Sequence, residues 1–199
     1  MNIIWHGHSC FEITGKDGTI VFDPYQANSV PGLNSLKLKA NLVLCSREHD
    51  DHNARNCVEV APKDFKVTCI ETYHDHHQGS HRGKNTIHIV DFENLKVVHM
   101  GDIGCMMDDV SKLKNCDVLM IPIGGYYTID TKEALKYIER IQPRIVIPMH
   151  YHSHEFGYDV LSTNEEFIQQ SSSVTYVDDC LEVNKDTKTQ TVVFKKPRN

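Results

Sequence analysis

The feature that most constrains this chain is a recurrence in which an apolar, strand-like segment runs into residues that can bind a metal ion. Four such segments lie at 41–45, 66–70, 96–100 and 144–147. The residues that follow them are, in order, His49 with Asp51 and His52, then His74, then Asp102, then His150. Loops at one edge of a rigid sheet present their side chains to a common cleft, so the recurrence predicts one shared site.

The densest part of this pattern is the stretch 46–52, with the sequence Ser-Arg-Glu-His-Asp-Asp-His. Two imidazoles and a carboxylate in one turn form a donor set that suits Zn, Mn or Fe ions. A solvated acidic turn is the alternative interpretation of the stretch by itself. The chain has 13 histidines, and they cluster at 6–8, 49–52, 74–81 and 150–154. This clustered excess favours metal or acid–base chemistry.

The order of the strand-like segments indicates the fold class. An antiparallel meander is predicted over 3–22, where glycines at 15 and 18 mark a tight turn, and a surface loop is predicted over 26–39. Strand–helix alternation follows, and further strands are predicted at 174–177, 181–184 and 191–194. The pattern predicts an α/β fold, with two mixed β-sheets packed together and flanked by helices. We expect a single domain over 1–199.

Helical periodicity is clearest over 131–141. Apolar residues at 134, 135, 138 and 141 fall on one face, Thr131 can cap the helix, and Pro143 stops it. Shorter helices are predicted at 109–115, around 165–169 and just after the stretch 46–52.

Composition narrows the class of partner. The formal charge of −6 and the absence of an internal Lys/Arg cluster argue against nucleic acid as a partner, and no apolar run is long enough for a membrane span. The seven cysteines are scattered and never form a CxxC pair, which is typical of reduced thiols in a cytoplasmic protein. We therefore expect a cytoplasmic protein with a small-molecule substrate. The protein could form a homo-oligomer.

Several short motifs together resemble the metallo-β-lactamase superfamily. They are His6-Gly-His-Ser9, Asp23-Pro-Tyr25, the HxDH at 49–52, His74-Asp75, Gly83-Lys-Asn-Thr86, Gly101-Asp-Ile-Gly104 and Pro148-Met-His-Tyr151. Their details look like its UlaG-type branch of small single-domain hydrolases. The resemblance implies an αββα sandwich with a one- or two-metal site. It assigns His49 and His74 to the first metal position, Asp51, His52 and His150 to the second, and Asp102 to a bridge between them.

One residue departs from the pattern that this family shows. The family motif is HxHxDH, and its first histidine falls on Arg47. We therefore predict one ion, Zn or Mn with Fe as an option, held at the second position by Asp51, His52, Asp102 and His150. Arg47 could instead clamp an anionic group of the substrate. It could also turn outward while His8, His76 or His77 replaces the lost ligand, or the protein could be a weakly active, degenerate enzyme.

The surviving residues imply metal-assisted hydrolysis of an anionic ester, lactone or phosphodiester by a water or hydroxide on the ion. Asp51 is the predicted catalytic residue because its carboxylate can orient that water or accept its proton. Arg47, His8 and His152 are predicted to contact substrate, although His8 could equally be a packed turn histidine. Asp23 is expected to hydrogen-bond behind the site or to cap its own turn. A non-catalytic metal-binding protein and a nuclease of the same superfamily are the alternatives.

Overall fold

The first strands of the chain form one face of a sandwich. The structure, a computed structural model, describes residues 1–198. A five-stranded sheet has the order β13-β1-β2-β3-β5. Its strands are β1 (Asn2–Gly7), β2 (Cys10–Gly15), β3 (Gly18–Phe22), β5 (Leu42–Leu44) and β13 (Cys180–Glu182). β1, β2 and β3 pair antiparallel through tight turns, which confirms the predicted meander, whereas β5 pairs parallel to β3.

A seven-stranded mixed sheet forms the other face, with the order β12-β14-β11-β10-β9-β8-β7. Its strands are β7 (Lys66–Tyr73), β8 (Lys84–Phe92), β9 (Leu95–His99), β10 (Val118–Pro122), β11 (Ile145–Met149), β12 (Val174–Val177) and β14 (Gln190–Phe194). Two short strands, β4 (Leu38–Ala40) and β6 (Val58–Val60), pair separately. The predicted α/β sandwich of two mixed sheets is therefore confirmed.

Apolar side chains from both sheets meet in one core. Alternating residues of the first sheet, among them Ile3, Trp5 and Phe11, pack in the same buried cluster as strand residues of the second, such as Val97 and Ile147. Every residue of β10 and β11 is buried, as expected for parallel strands that are covered on both faces. The core holds the strand ends in fixed positions, and the loops at those ends carry the polar residues.

Helix α1 (Thr131–Ile141) confirms the clearest helix prediction, but its cap is one residue earlier than expected. Asp130 is the N-cap, and it forms a reciprocal capping box with Glu133. Thr131 is instead the first helical residue. The buried face includes Tyr137, whose hydroxyl donates to the Cys105 carbonyl at 2.8 Å and so ties the helix to the loop after β9. A second helix, α2, spans Glu165–Gln170.

Two of the predicted short helices are absent as α-helices. Residues 111–115 form a turn, with the Asp109 carboxylate accepting from the Ser111 amide at its start. The segment after His52 forms a 3-10 turn (Arg55–Cys57) that leads into β6. The strand predicted at 41–45 is present as β5, and it is half-buried because β5 lies at the edge of its sheet. No helix within residues 1–198 has the length and apolar character needed to cross a membrane.

Candidate metal centre

The candidate site lies where strands of both sheets end. β7, β9, β10 and β11 all run in the same direction, and their carboxyl ends lead to His74, Asp102 and His150. In the other sheet β3 and β5 run parallel, and their ends lead to Asp23 and to the stretch 46–52. Residues from these loops line a cleft of about 650 Å³. The predicted convergence of strand ends is therefore a property of the fold.

Four side chains, two of which line this cleft, point potential ligand atoms at one another. His8, Asp51, His52 and His150 each place one such atom within 4.8 Å of the other three. Asp51 Oδ2 lies 3.5 Å from His8 Nε2 and 3.6 Å from His52 Nε2. Ligand atoms on a tetrahedral zinc ion with bonds of about 2.1 Å are roughly 3.4 Å apart. We call these four residues the His-Asp cluster, and its spacing suits a small divalent cation.

Unsatisfied polar atoms give an independent test of that fit. Both ring nitrogens of His8, Nε2 of His52 and Oδ1 of Asp102 are buried without a hydrogen-bond partner within the described chain. His52 Nε2 lies 2.9 Å from Asp102 Oδ2, yet the pair lacks the geometry of a hydrogen bond. Buried polar groups are normally satisfied, and so many unpartnered atoms in one place indicate a bound cation. The residues present therefore fit a metal ion.

Asp23 orients His52 from behind the site. Its buried carboxylate accepts from the Ser46 amide and hydroxyl, both at 2.6 Å, and lies 2.8 Å from His52 Nδ1. A proton on Nδ1 is required for that contact, and this tautomer leaves Nε2 free to face the cleft. Burial alone would raise the pKa of Asp23, but its contacts with His52 outweigh burial and hold the pKa below its ordinary value.

Asp102 is positioned by its backbone. Its amide donates to the Asn85 side chain at 2.8 Å, and the Asn85 amide group in turn donates to Thr72 and to the Met100 carbonyl. Gly101 has a φ of +57°, and a Cβ there would come within 2.4 Å of Ser46. A larger residue would push the turn away from the cleft. This close approach explains why a glycine precedes the aspartate.

Arg47 occupies the first metal position that the family resemblance implies. Its guanidinium is turned inward, with 7% of the residue exposed, and Nη1 lies 3.1 Å from Asp102 Oδ2. Nη2 contacts the ring of His49, at 2.9 Å from Nε2, and His74 Nε2 lies 3.8 Å from the same Asp102 oxygen. The guanidinium therefore lies among the three residues assigned to that position. His49 and His74 are not part of the His-Asp cluster.

His8 and His150 are neighbours in the His-Asp cluster, and His150 Nε2 lies 3.4 Å from Asp102 Oδ1. Their rings lie 4.0 Å apart between centroids, and both residues have the left-handed backbone, with φ of 52° and 55°. Such conformations cost energy and concentrate at functional sites. Burial, followed by the neighbouring His8, lowers the pKa of His150 to about 3, so His150 is neutral and can act as a ligand.

Asp51 is the member of the cluster that is open to the cleft. Burial would raise its pKa, but the contacts with His8 and His52 prevail and hold the pKa of Asp51 far below its ordinary value. Its Oδ2 also lies 3.5 Å from the Tyr158 hydroxyl. Asp51 is therefore a carboxylate at neutral pH and is available as a ligand or as a proton acceptor.

Other histidines that the sequence offered lie outside the site. The His152 amide donates to the Ser162 carbonyl, and the His152 side chain lies 3.9 Å from Asp159. Neither His152 nor His8, the two histidines predicted to contact substrate, is among the residues that line the cleft. His76 is exposed near Glu133, and the ring of His77 packs on that of His81. Of His8, His76 and His77, only His8 belongs to the His-Asp cluster.

Sequence patterns missed four residues that line the cleft, namely Ser29, Arg82, Tyr127 and Tyr158. They come from irregular loops, where no periodicity marks an inward-facing side chain. Arg82 carried the only visible signal, because it lies in a turn-rich segment directly before Gly83-Lys-Asn-Thr86.

Comparisons with known proteins agree on one family. The beta-lactamase superfamily domain matches residues 2–150. A UPF0173 metal-dependent hydrolase of Thermoplasma acidophilum is 28% identical over 204 residues, covering 83% of this chain and 88% of the relative. A Thermotoga maritima structure of the metallo-β-lactamase superfamily aligns with a TM-score of 0.78 and 26% identity over 97% of each chain. A metallo hydrolase from Ignicoccus hospitalis aligns with a TM-score of 0.62 and 19% identity, covering 85% of this chain and 89% of that one.

Proposed function

The chain belongs to the metallo-β-lactamase superfamily, and on that premise we propose that it is a metal-dependent hydrolase. One observation carries this proposal, namely the convergence of four potential ligand atoms beside a cleft of about 650 Å³ that Asp51 and His150 line. The curated relatives named metal-dependent hydrolases include proteins of Thermoplasma acidophilum and Natranaerobius thermophilus. A cleft above the cluster leaves room for a substrate, which a purely structural metal site would not need.

The proposal includes a single ion, held by the His-Asp cluster with Asp102 beside it. Three imidazoles and one carboxylate favour zinc, and manganese or iron are the other ions that this donor set accepts. The Thermotoga maritima relative is described as a candidate Zn-dependent hydrolase, which supports zinc. Arg47 already supplies a positive charge to Asp102 at the first position, so a second cation there would meet direct repulsion.

A bound divalent ion would supply Lewis acidity and would lower the pKa of a coordinated water toward neutrality. Asp51 accepts a proton from the attacking water, because its carboxylate is ionised and faces the cleft. Burial and the nearby Asp51 and Asp102 charges raise the pKa of Tyr158, so its hydroxyl stays protonated as a donor. That hydroxyl now donates to the Ser29 carbonyl at 2.7 Å, and it can turn toward a substrate oxygen. Asp23 keeps His52 in the required tautomer throughout.

The proposed substrate is a small ester, lactone or phosphodiester with an anionic group. Two arginines, Arg47 and Arg82, line the cleft together with the aromatic rings of Tyr127 and Tyr158. Positive charge beside aromatic surface suits a compact organic anion. A nuclease would need an extended cationic channel for the phosphate backbone, and the formal charge of −6 disfavours one.

Elemental analysis of the purified protein tests the metal proposal directly. We expect about one equivalent of metal in the natural sequence and about two in Arg47→His, which restores a ligand at the first position. Arg55→His is the matched control, because it adds a histidine a few residues away at an exposed site beside Glu48. That variant should remain at one equivalent. Two equivalents in the natural protein would overturn the single-ion proposal, and none would favour a protein without metal chemistry.

Turnover tests the enzymatic part. A panel of esters, lactones and phosphodiesters is assayed with the natural protein and with Asp51→Asn, alongside metal analysis of both. Hydrolysis that falls in the variant supports the proposal. Equal inertness of both proteins across the panel, with metal still bound, would contradict it and would favour a non-catalytic metal-binding protein.

A further inference from the structure

We propose that Arg82 is the residue that selects the substrate, by binding a carboxylate or phosphate group on the part of the substrate away from the reacting bond. This inference rests on the proposed hydrolase function and names a binding group within the same cleft. Arg82 lines that cleft together with Tyr127, Tyr158 and the residues of the metal centre.

The Arg82 guanidinium is ordered but not neutralised. It stacks on Tyr127, 5.3 Å from the ring centroid, and on Tyr126 at 5.7 Å. No carboxylate within residues 1–198 forms an ion pair with it. A guanidinium that stacks by its face keeps the N–H groups on its edge available. Arg82 therefore offers paired donors to a planar or tetrahedral oxyanion.

The loop that carries Arg82 is held in place by one buried carboxylate. Asp75 accepts backbone hydrogen bonds from His77, Gly79, His81 and Arg82 at 2.7 to 3.1 Å. Asp75 directly follows His74, whose Nδ1 lies 2.6 Å from the Asp102 carbonyl. The loop that carries Arg82 is therefore anchored beside Asp102, which fixes the position of Arg82 relative to the metal centre.

Arg47 is the other arginine of the cleft, and its guanidinium already contacts side chains of the protein. Its terminal nitrogens contact Asp102 and His49, and it is 7% exposed. An incoming anion would have to displace the bond to Asp102, which is itself buried and charged. The anion-clamp role considered for Arg47 from the sequence therefore belongs, by this geometry, to Arg82. Arg47 supplies the fixed cation at the reacting centre.

The test compares two esters that differ in charge at the far end of the acyl group, mono-4-nitrophenyl succinate and 4-nitrophenyl butyrate. We expect the metal-loaded natural protein to prefer the succinate ester in kcat/KM. Arg82→Gln should reduce that preference at least about 10-fold, mainly through KM, because charge-assisted hydrogen bonds are lost. Arg82→Lys should restore part of it. Lys84→Gln, which removes a nearby exposed charge paired with Glu71, is the control and should keep the preference.

A binding measurement separates this inference from the proposed function. Inorganic phosphate and succinate are titrated into the metal-loaded natural protein, Arg82→Gln and Lys84→Gln by calorimetry. Weaker binding of either anion in Arg82→Gln alone supports the inference and shows which oxyanion is preferred. If neither ester is hydrolysed while anion binding still depends on Arg82, the anion site stands and hydrolysis of such esters does not. Equal binding and equal charge preference in all three proteins would overturn the inference.

Discussion

The two halves of the metal centre differ in what neutralises Asp102. On one side the His-Asp cluster gathers three imidazoles and Asp51 around a point with unpartnered ligand atoms. On the other side His49 and His74 lie beside the guanidinium of Arg47. The first side groups buried donor atoms that suit a cation, because several of them have no hydrogen-bond partner within the described chain. The second side already contains its cation as part of the chain.

A guanidinium attached to the chain supplies the positive charge beside Asp102 on the second side, while the fold remains that of the superfamily. Asp102 remains at the same strand end and keeps its contacts to both sides, at 2.9 Å from His52 and 3.1 Å from Arg47. A guanidinium cannot activate water as a metal ion does, but it can fix charge and orientation. We therefore expect loss of catalysis from changes on the first side and loss of stability from changes on the second.

The largest expected effect separates the two sides by activity. Asp51→Ala should lower kcat/KM by about 10³ to 10⁴, because it removes both a ligand and the proton acceptor. His49→Ala, on the Arg47 side, should change kcat/KM by less than about threefold. Both are measured on the best ester of the panel, with metal content determined in parallel. Comparable losses in the two variants would show that His49 is a ligand and that the asymmetry is wrong.

Changes on the Arg47 side should affect the free energy of unfolding more than changes in the His-Asp cluster do. Arg47→Leu should lower the free energy of unfolding of the metal-free protein by about 3–5 kcal/mol, because Asp102 then lacks its buried counter-ion. Added zinc should recover part of this loss. Urea unfolding with and without zinc measures both the loss of stability and its recovery. Arg55→Leu, an exposed arginine of the same loop, is the control and should change stability by about 0.5 kcal/mol or less.

Acid should weaken the fold through His88, a buried histidine outside the His-Asp cluster. Burial lowers the pKa of His88 to about 4, below the value near 6.5 in the unfolded chain. Above pH 6.5 the residue is neutral in both states. As the pH falls from 6.5 to 4 the unfolded chain gains the proton first, so stability declines by about 1–3 kcal/mol. The difference in unfolding free energy between the natural protein and His88→Leu should shift by that amount in favour of the variant as the pH falls over this range, with or without zinc. A difference that does not change with pH would exclude His88 as the cause.

The sequence predicts the strand ends that carry the two sides of the centre, but it does not predict how Arg47 is placed between them. The four strand ends were predicted correctly because apolar runs and the ligand types after them are local features. The metal-ligand assignments for His49 and His74 stay predictions, and the geometry places both beside Arg47. The inward turn of Arg47 could not be predicted, since it depends on the contact with Asp102, 55 residues away in sequence.

Loop residues were harder to predict for the same physical reason. Arg82 and Tyr158 face the cleft because Asp75 and Ser29 hold their loops by hydrogen bonds that leave no periodic pattern. The role of His8 stays a prediction, and its position next to His150 depends on a contact between segments more than 140 residues apart in sequence, where the His150 amide donates to the His8 carbonyl at 3.4 Å.

The smallest of the predicted effects tests whether Asp23 orients His52 for metal binding. Asp23→Asn should weaken zinc binding by about 10- to 100-fold, because an amide NH₂ facing His52 Nδ1 favours the tautomer with its proton on Nε2. That proton would block the atom that faces the ion. Asp117→Asn makes the same chemical change before β10, where Asp117 pairs with Arg144, and should leave zinc affinity unchanged. A competitive chelator titration measures both. If Asp23→Asn binds zinc as tightly as the control, His52 keeps the required tautomer without Asp23. Zinc binding would then depend on the His-Asp cluster alone.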